Sequence, residues 1–303
     1  MGKRGLSMRR KESIYGYIFI LPFIIGFIGF TAGPLLFSFA GSFTDYNITS
    51  QMEFIGVENY QTLIVEDGLF RTSLWNTLYY VLLSVPLTTL GAIFLSALLN
   101  QDVPGIRFFR TLYYLPAILS GVGVYLLWMQ LLEPGTGMVN LLLGWVGIDG
   151  PNWLFDPDWT KPSLILMKLW SVGGSMLLYL ASMQGVSKSL YEAAEIDGAS
   201  RWRQFVHITI PMITPVIFFD VVTSLIGGFQ IFQEAYIMSG NGEGGPANSL
   251  LFYNLYMWNQ AFENFDMGYA MAMSWILFVI VFILTVINLK LAPRWVHYEG
   301  EDK

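Results

Sequence analysis

The stretch GYAMAMSWILFVIVFILTVINLKL, residues 268–291, carries no charge before Lys290. A bilayer core about 30 Å thick needs about 20 mostly apolar residues of helix to cross it, because lipid offers a bare peptide group no hydrogen-bond partner. This stretch meets that demand. Working outward from it, five more stretches read the same way, approximately Ile14 to Phe37, Ser73 to Leu99, Phe109 to Leu131, Ser163 to Met183 and Met212 to Met238. The fold class is an all-α polytopic membrane protein with six transmembrane helices. Residues 14–291 form the membrane domain, 1–13 an N-terminal segment and 292–303 a tail.

Composition agrees. Of 303 residues, 54% are hydrophobic and only 13% charged, with a mean hydropathy of +0.52. A soluble domain needs nearer a quarter of its residues charged. Sixteen Lys plus Arg against 22 Asp plus Glu leaves a net charge of −6, so no basic excess exists to neutralise phosphates and nucleic acid is excluded as a partner. The absence of cysteine removes disulfides, thiolate nucleophiles and cysteine-type zinc sites.

Lys and Arg collect on alternate connecting segments: Lys3, Arg4, Arg9, Arg10 and Lys11 at the N-terminus, Arg107 and Arg110, then Lys188, Arg201 and Arg203, and finally Lys290, Arg294 and Lys303. The other segments hold only Arg71 and Lys161 among many acids. Cationic flanks stay in the cytoplasm, which places both termini inside. The basic N-terminus is like that of a signal peptide, but the apolar run after it is too long and lacks a small-residue cleavage pattern, so it reads as an uncleaved anchor. Pro22, Pro34, Pro86, Pro116 and Pro215 fall inside spans and are expected kinks.

Catalytic patterns are missing. There is no Gly-x-x-x-x-Gly-Lys-Ser/Thr loop, and the run from Gly240 to Gly245 lacks the lysine and reads as a flexible outer loop. His207 and His297 cannot form a His-Glu-x-x-His helix, and no Gly-x-Ser-x-Gly elbow occurs. The chain is not expected to be an enzyme.

The loop 184–211, between the fourth and fifth spans, is different. Ser189 and Glu192 have capping-box spacing and Gly198 suits a left-handed stop, which predicts a helix from Leu190 to Asp197. The bland reading is a solvated connector. However, Glu192-Ala193-Ala194, Gly198 and Ile208-Thr209-Ile210-Pro211 match, position for position, the EAA motif of the inner-membrane permeases of binding-protein-dependent ATP-driven importers. Only Ile210 departs, standing where the motif has Leu, and it conserves volume and apolarity. Leu21-Pro22, Gly33-Pro34, Ser42 to Tyr46, Phe54 to Tyr60, Arg110 to Pro116 with Trp128, and Gly245 to Ser249 resemble, in order, sugar permeases of the maltose and glycerol-phosphate type.

The resemblance implies a type I ABC importer permease fold with a cytoplasmic coupling helix. Glu192 would make a charged contact with an ATPase, Ala193 and Ala194 would allow close docking, Gly198 would turn the chain, and Ile208 and Pro211 would complete the motif. It also implies a second permease, usually a different chain, two cytoplasmic ATPase subunits that bind ATP and Mg, and an extracellular sugar-binding protein. No cofactor is expected in this chain. Its place would be a bacterial-type cytoplasmic membrane, in contact with lipid.

In the fifth span Asp220, Thr223, Ser224, Gly227, Gln230 and Glu234 recur at offsets 0, 3, 4, 7, 10 and 14, so on one continuous helix they share a face. This stripe is expected to line part of a sugar path, with Glu234 toward the outside and Asp220 toward the cytoplasm. The competing reading is hydrogen bonding between helices. Lys168 is expected to pair with Glu234 or to snorkel outward. A membrane-embedded enzyme or a receptor without transport is the rival function. An enzyme would need a catalytic carboxylate or metal cluster, and none is found.

Overall fold

The computed structural model describes residues 8–47, 52–119, 121–240 and 242–297. Expectations resting on Lys3, Arg4 and Lys303 lie outside them. In chain order the helices are α1 (Met8–Phe27), α2 (Gly33–Gly41), α3 (Glu58–Gln61), α4 (Gly68–Leu99), α5 (Ile106–Ile118), α6 (Val122–Leu131), α7 (Met138–Trp145), α8 (Pro157–Trp170), α9 (Gly173–Gly185), α10 (Lys188–Ile196), α11 (Arg201–Gln204), α12 (Ile210–Phe229), α13 (Gln233–Met238), α14 (Tyr253–Trp258) and α15 (Met267–Leu291). Four helical stretches are long and apolar enough to cross a membrane: Tyr15–Gly41, Gly68–Leu99, Arg201–Phe229 and Met267–Arg294. The pairs α5/α6 and α8/α9 are each bent by more than 40° and bring the spans to six if each pair is one crossing. Pro86 and Pro215 sit inside unbroken helices.

Three of the expected continuous spans are therefore interrupted. The third stops at Ile118, where Leu119 is already extended, and resumes after Gly121 at φ +92°, a backbone conformation that costs glycine little. The fourth breaks between Trp170 and Gly173, where α9 abuts α5. A Cβ on Gly173 would overlap the Tyr113 carbonyl oxygen and lie 2.9 Å from Tyr114 Cα. Both obstacles are backbone and cannot swing aside. Gly173→Ala is expected to destabilise the protein by about 2 kcal/mol through overpacking, measured by thermal unfolding in detergent; an unchanged midpoint would contradict the close approach. The fifth ends at Phe229, nine residues before the expected Met238. There the N–H groups of Gln230 and Ile231 donate to the Gly227 and Gly228 carbonyls at 3.1 and 3.4 Å, tightening the last turn.

The chain divides into two compact units, residues 1–65 with 260–275, and residues 66–259 with 276–303. In the first, Asn59 Nδ2 donates to the carbonyls of Ser42 and Thr44 at 3.0 and 2.9 Å, and the Tyr60 hydroxyl donates to Ser42 Oγ at 2.7 Å. In the second, α4 is the central post. Ala92 and Leu99 on it join Val172, Met176 and Tyr179 in a buried cluster, and Ser96 Oγ donates across to the Met176 carbonyl at 2.7 Å. At the other end Asn76 Nδ2 holds the carbonyls of Asn248 and Leu251 at 2.8 and 3.0 Å, which pins the loop after α13 to α4.

Candidate functional sites

The loop between α9 and α12 is a short arm with a rigid root. Its helix α10 begins at Lys188 rather than Leu190, and the expected capping box does not form. Ser187 is the extended residue at the helix start, and its Oγ lies 2.8 Å from Ser189 Oγ, so the two serines pair with each other. The far end matches expectation. Gly198 has φ +74°, its N–H donates to the Glu195 carbonyl at 3.0 Å, and the Ala199 N–H reaches the Ala194 carbonyl at 2.9 Å. These two bonds together form the Schellman closure, which satisfies carbonyls the helix end leaves open.

The returning limb of the arm, made of α11 and the helical turn that follows it, is tied back to α10 and its closing turn. Gln204 Nε2 donates to the Ala199 carbonyl at 3.3 Å, and the Tyr191 hydroxyl is 2.8 Å from Thr209 Oγ1. Tyr191, Phe205 and Ile208 pack on a buried cluster of Met183, Val186 and Ile213. The motif residues thus divide by position. Glu192, Ala193 and Gly198 are exposed and Ala194 is half-buried, while Ile208 packs at the root and Pro211 occupies the first turn of α12. Two residues that motif reading passed over stand out on the same arm: Ile196 is 89% exposed and Trp202 is 73% exposed. Ile196 follows Glu192 by four positions and Ala193 by three, so the three share a helix face. Their signal in the sequence was large apolar side chains in an otherwise polar loop.

The second site is a pair of adjoining cavities of about 270 and 290 Å³ within the second unit. Both are lined by Tyr80 of α4, Lys168 of α8 and Glu234 of α13. The larger adds Thr223, Ser224 and Gly227 from α12 and Gln230 just past its end, whereas the smaller is walled by Tyr125, Trp128 and Trp170. Tyr125 shares this wall with Glu234, and the Trp128 and Trp170 rings meet edge to face at 5.8 Å. Five of the six stripe residues therefore share one cavity, but Glu234 does not arrive there by helical periodicity. It sits on a separate helix that starts after the chain turns at Gln230, Ile231 and Phe232. Lys168 lines both cavities beside it.

Asp220 is placed elsewhere. It is 7% exposed, and its carboxylate accepts from Ser175 Oγ at 2.8 Å and from the Tyr179 hydroxyl at 2.6 Å, both on α9. At this residue the geometry is that of a tie between helices. The cavity walls combine a carboxylate, an amide, hydroxyls and flat aromatic faces. That set can hydrogen-bond a polyhydroxyl solute while its C–H faces stack on rings. Among the described residues no three His, Asp or Glu side chains converge as metal ligands.

A family model described as binding-protein-dependent transport system inner membrane component matches residues 68–297. The chain is 42% identical over 296 residues to the probable ABC transporter permease protein YesP of Bacillus subtilis, covering 97% of this chain and 95% of that one. It is 35% identical to the lactose transport system permease protein LacF of Rhizobium radiobacter, with 93% and 95% covered. It is also similar to a chain in the crystal structure of a bacterial alginate ABC transporter in complex with an alginate pentasaccharide-bound periplasmic protein, with a TM-score of 0.81 at 26% identity and 94% and 96% of the two chains covered.

Proposed function

Because the chain belongs to the family of binding-protein-dependent transport system inner membrane components, we propose that it is the permease subunit of an ATP-driven sugar importer, with oligosaccharides as its cargo. It is a multi-pass membrane protein. The observation that carries the reading is the arm at α10: a helix closed by Gly198, presenting Glu192, Ala193 and Ile196 outward, and rooted between two crossing segments. The relatives named for lactose and arabinooligosaccharides, and the alginate transporter of like fold, support the saccharide class.

In this reading the arm and both termini are cytoplasmic. Two ATPase subunits, which hold ATP and Mg, grip the arm of this chain and that of a second permease, and a sugar-binding protein docks on the opposite face. Closure of the ATPases pulls α10. Because its bonds to the returning limb make it one piece with the ends of α9 and α12, the pull reaches the cavity between α4, α8, α12 and α13. Swinging a two-state transporter from 1:99 to 99:1 takes about 5.5 kcal/mol of differential binding, which nucleotide-driven closure must deliver through this arm. Residues Gln230 and Glu234 then contact sugar as it passes.

The test is purification of the assembly from its native membrane followed by uptake assays. An importer subunit brings down ATPases and a second permease, whereas a membrane-embedded enzyme or a receptor does not. Within that assembly, replacing Gln230 and Glu234 together by Ala is expected to lower saccharide uptake at least tenfold, roughly 1.4 kcal/mol of lost stabilisation, while the ATPases remain bound. Uptake at the wild-type rate would remove these side chains from the path.

A further inference from the structure

The connection between α6 and α8 takes no part in either site, yet it is firmly built. The Glu133 carboxylate accepts from the N–H and hydroxyl of Thr136 at 2.6 and 2.9 Å and from the Gly135 N–H at 3.0 Å. Those bonds, led by the Thr136 N–H, hold its pKa below the usual carboxylate value. Asn140 on α7 donates from Nδ2 to the carbonyls of Pro134 and Pro151 at 3.3 and 3.1 Å, and its Oδ1 accepts from Trp153 Nε1 at 2.6 Å. One face of α7 is thereby fastened to its own loop.

The opposite face is bare. Met138, Leu141, Leu142 and Trp145 fall at i, i+3, i+4 and i+7, the stripe that an amphipathic helix ordinarily buries, yet all four are exposed, Trp145 by 83%. No charged residue occurs between Glu133 and Asp149.

We propose that α7 is an interfacial helix, lying along the bilayer surface with this stripe sunk among the lipid chains and Trp145 at headgroup depth. Lipid is the occupant for three reasons. Links of six and eleven residues join α7 to α6 after Leu131 and to α8 before Pro157, so the stripe stays within reach of the membrane-crossing helices on either side of it. The stripe has no charged or polar rim with which a soluble partner would fix its register, whereas specific protein interfaces carry one. And Trp145 at the helix end, with Trp153 and Trp159 packed edge to face at 5.1 Å just beyond, supplies the amphipathic rings that settle at a headgroup boundary. A binding protein that comes and goes would leave the stripe wet between visits; lipid covers it throughout. The inference needs the chain to span a membrane and nothing more.

The protein has no cysteine, so a single introduced thiol reports alone. The purified full chain bearing Leu142→Cys, labelled with an environment-sensitive fluorophore in lipid nanodiscs, is expected to emit to the blue and to be quenched several-fold more by brominated phosphatidylcholine than by aqueous iodide. Asp149→Cys should show the reverse preference. Iodide quenching at residue 142 equal to that at 149 would overturn the proposal, and so would insensitivity to both quenchers, which would mean that protein covers the stripe. Should Leu142→Cys fail to fold, Met138→Cys on the same stripe decides the matter by the same readings.

Discussion

Glu192→Lys is expected to strip the ATPase subunits from the purified assembly, weakening their capture by about 2 kcal/mol or more, some 30-fold in affinity. The effect arises at the partner. Glu192 is exposed and makes no side-chain hydrogen bond within α10, and the serines at 187 and 189 beside its amino end pair with each other. The variant should therefore fold: its one local penalty is a like-charge pair with Lys188 four positions earlier, worth a few tenths of a kcal/mol. The measurement is the yield of ATPase subunits recovered with the permease, alongside sugar-stimulated ATP turnover and the thermal midpoint of the permease alone. Ile196→Asp and Trp202→Ala should lose the partner as well, because large exposed apolar groups beside a charged contact are the usual anchors of an interface. If all three variants retain full ATPase capture and normal turnover, α10 is only a connector and the importer reading falls with it.

The sequence was most legible where one physical demand acts alone. Lipid demands length and apolarity from every crossing segment, so the six stretches were found, and the spacing from Glu192 to Gly198 located the arm and its left-handed stop. Where the outcome depends on what lies alongside, one-dimensional reading failed. Ser189 was read as the cap, whereas the helix starts one residue before it and the extended residue at its start is Ser187. The break in the fourth span lies where backbone meets backbone, as Gly173 meets Tyr113, and no periodicity contains that contact. The stripe on the fifth span was extended past Gly227 and Gly228 as though the helix went on. The chain turned instead, and Glu234 reached the cavity from α13. Asp220 kept its place on α12, but its partners Ser175 and Tyr179 lie more than forty positions earlier.

That pairing yields the second large effect. Asp220→Ala is expected to destabilise the protein by about 3 kcal/mol, because two hydroxyl donors on α9 lose a charged acceptor and hydrogen bonds to charged groups contribute about 1.5–3 kcal/mol each. Release of the carboxylate's own desolvation cost keeps the total below the sum of the two. Tyr179 is fully buried, so its hydroxyl finds no water as substitute. Asp220→Asn retains an acceptor oxygen, and since hydroxyl protons rotate, it should cost only about 1 kcal/mol. The two roles considered for this residue separate cleanly. A helix tie predicts a lowered unfolding midpoint for Asp220→Ala and a strong coupling with Tyr179→Phe in a double-mutant cycle, at least about 1 kcal/mol. A path residue predicts slowed uptake in Asp220→Asn with the midpoint unchanged and no coupling to Tyr179. Ser175 and Tyr179 lie on the helix that runs directly into the arm, and Asp220 on the one that leaves it. In the proposed importer, a tie at that level would make the two roots move together, so that a pull on α10 would displace α9 and α12 as a pair; without it, the same pull would shear one past the other and be dissipated before reaching the cavity.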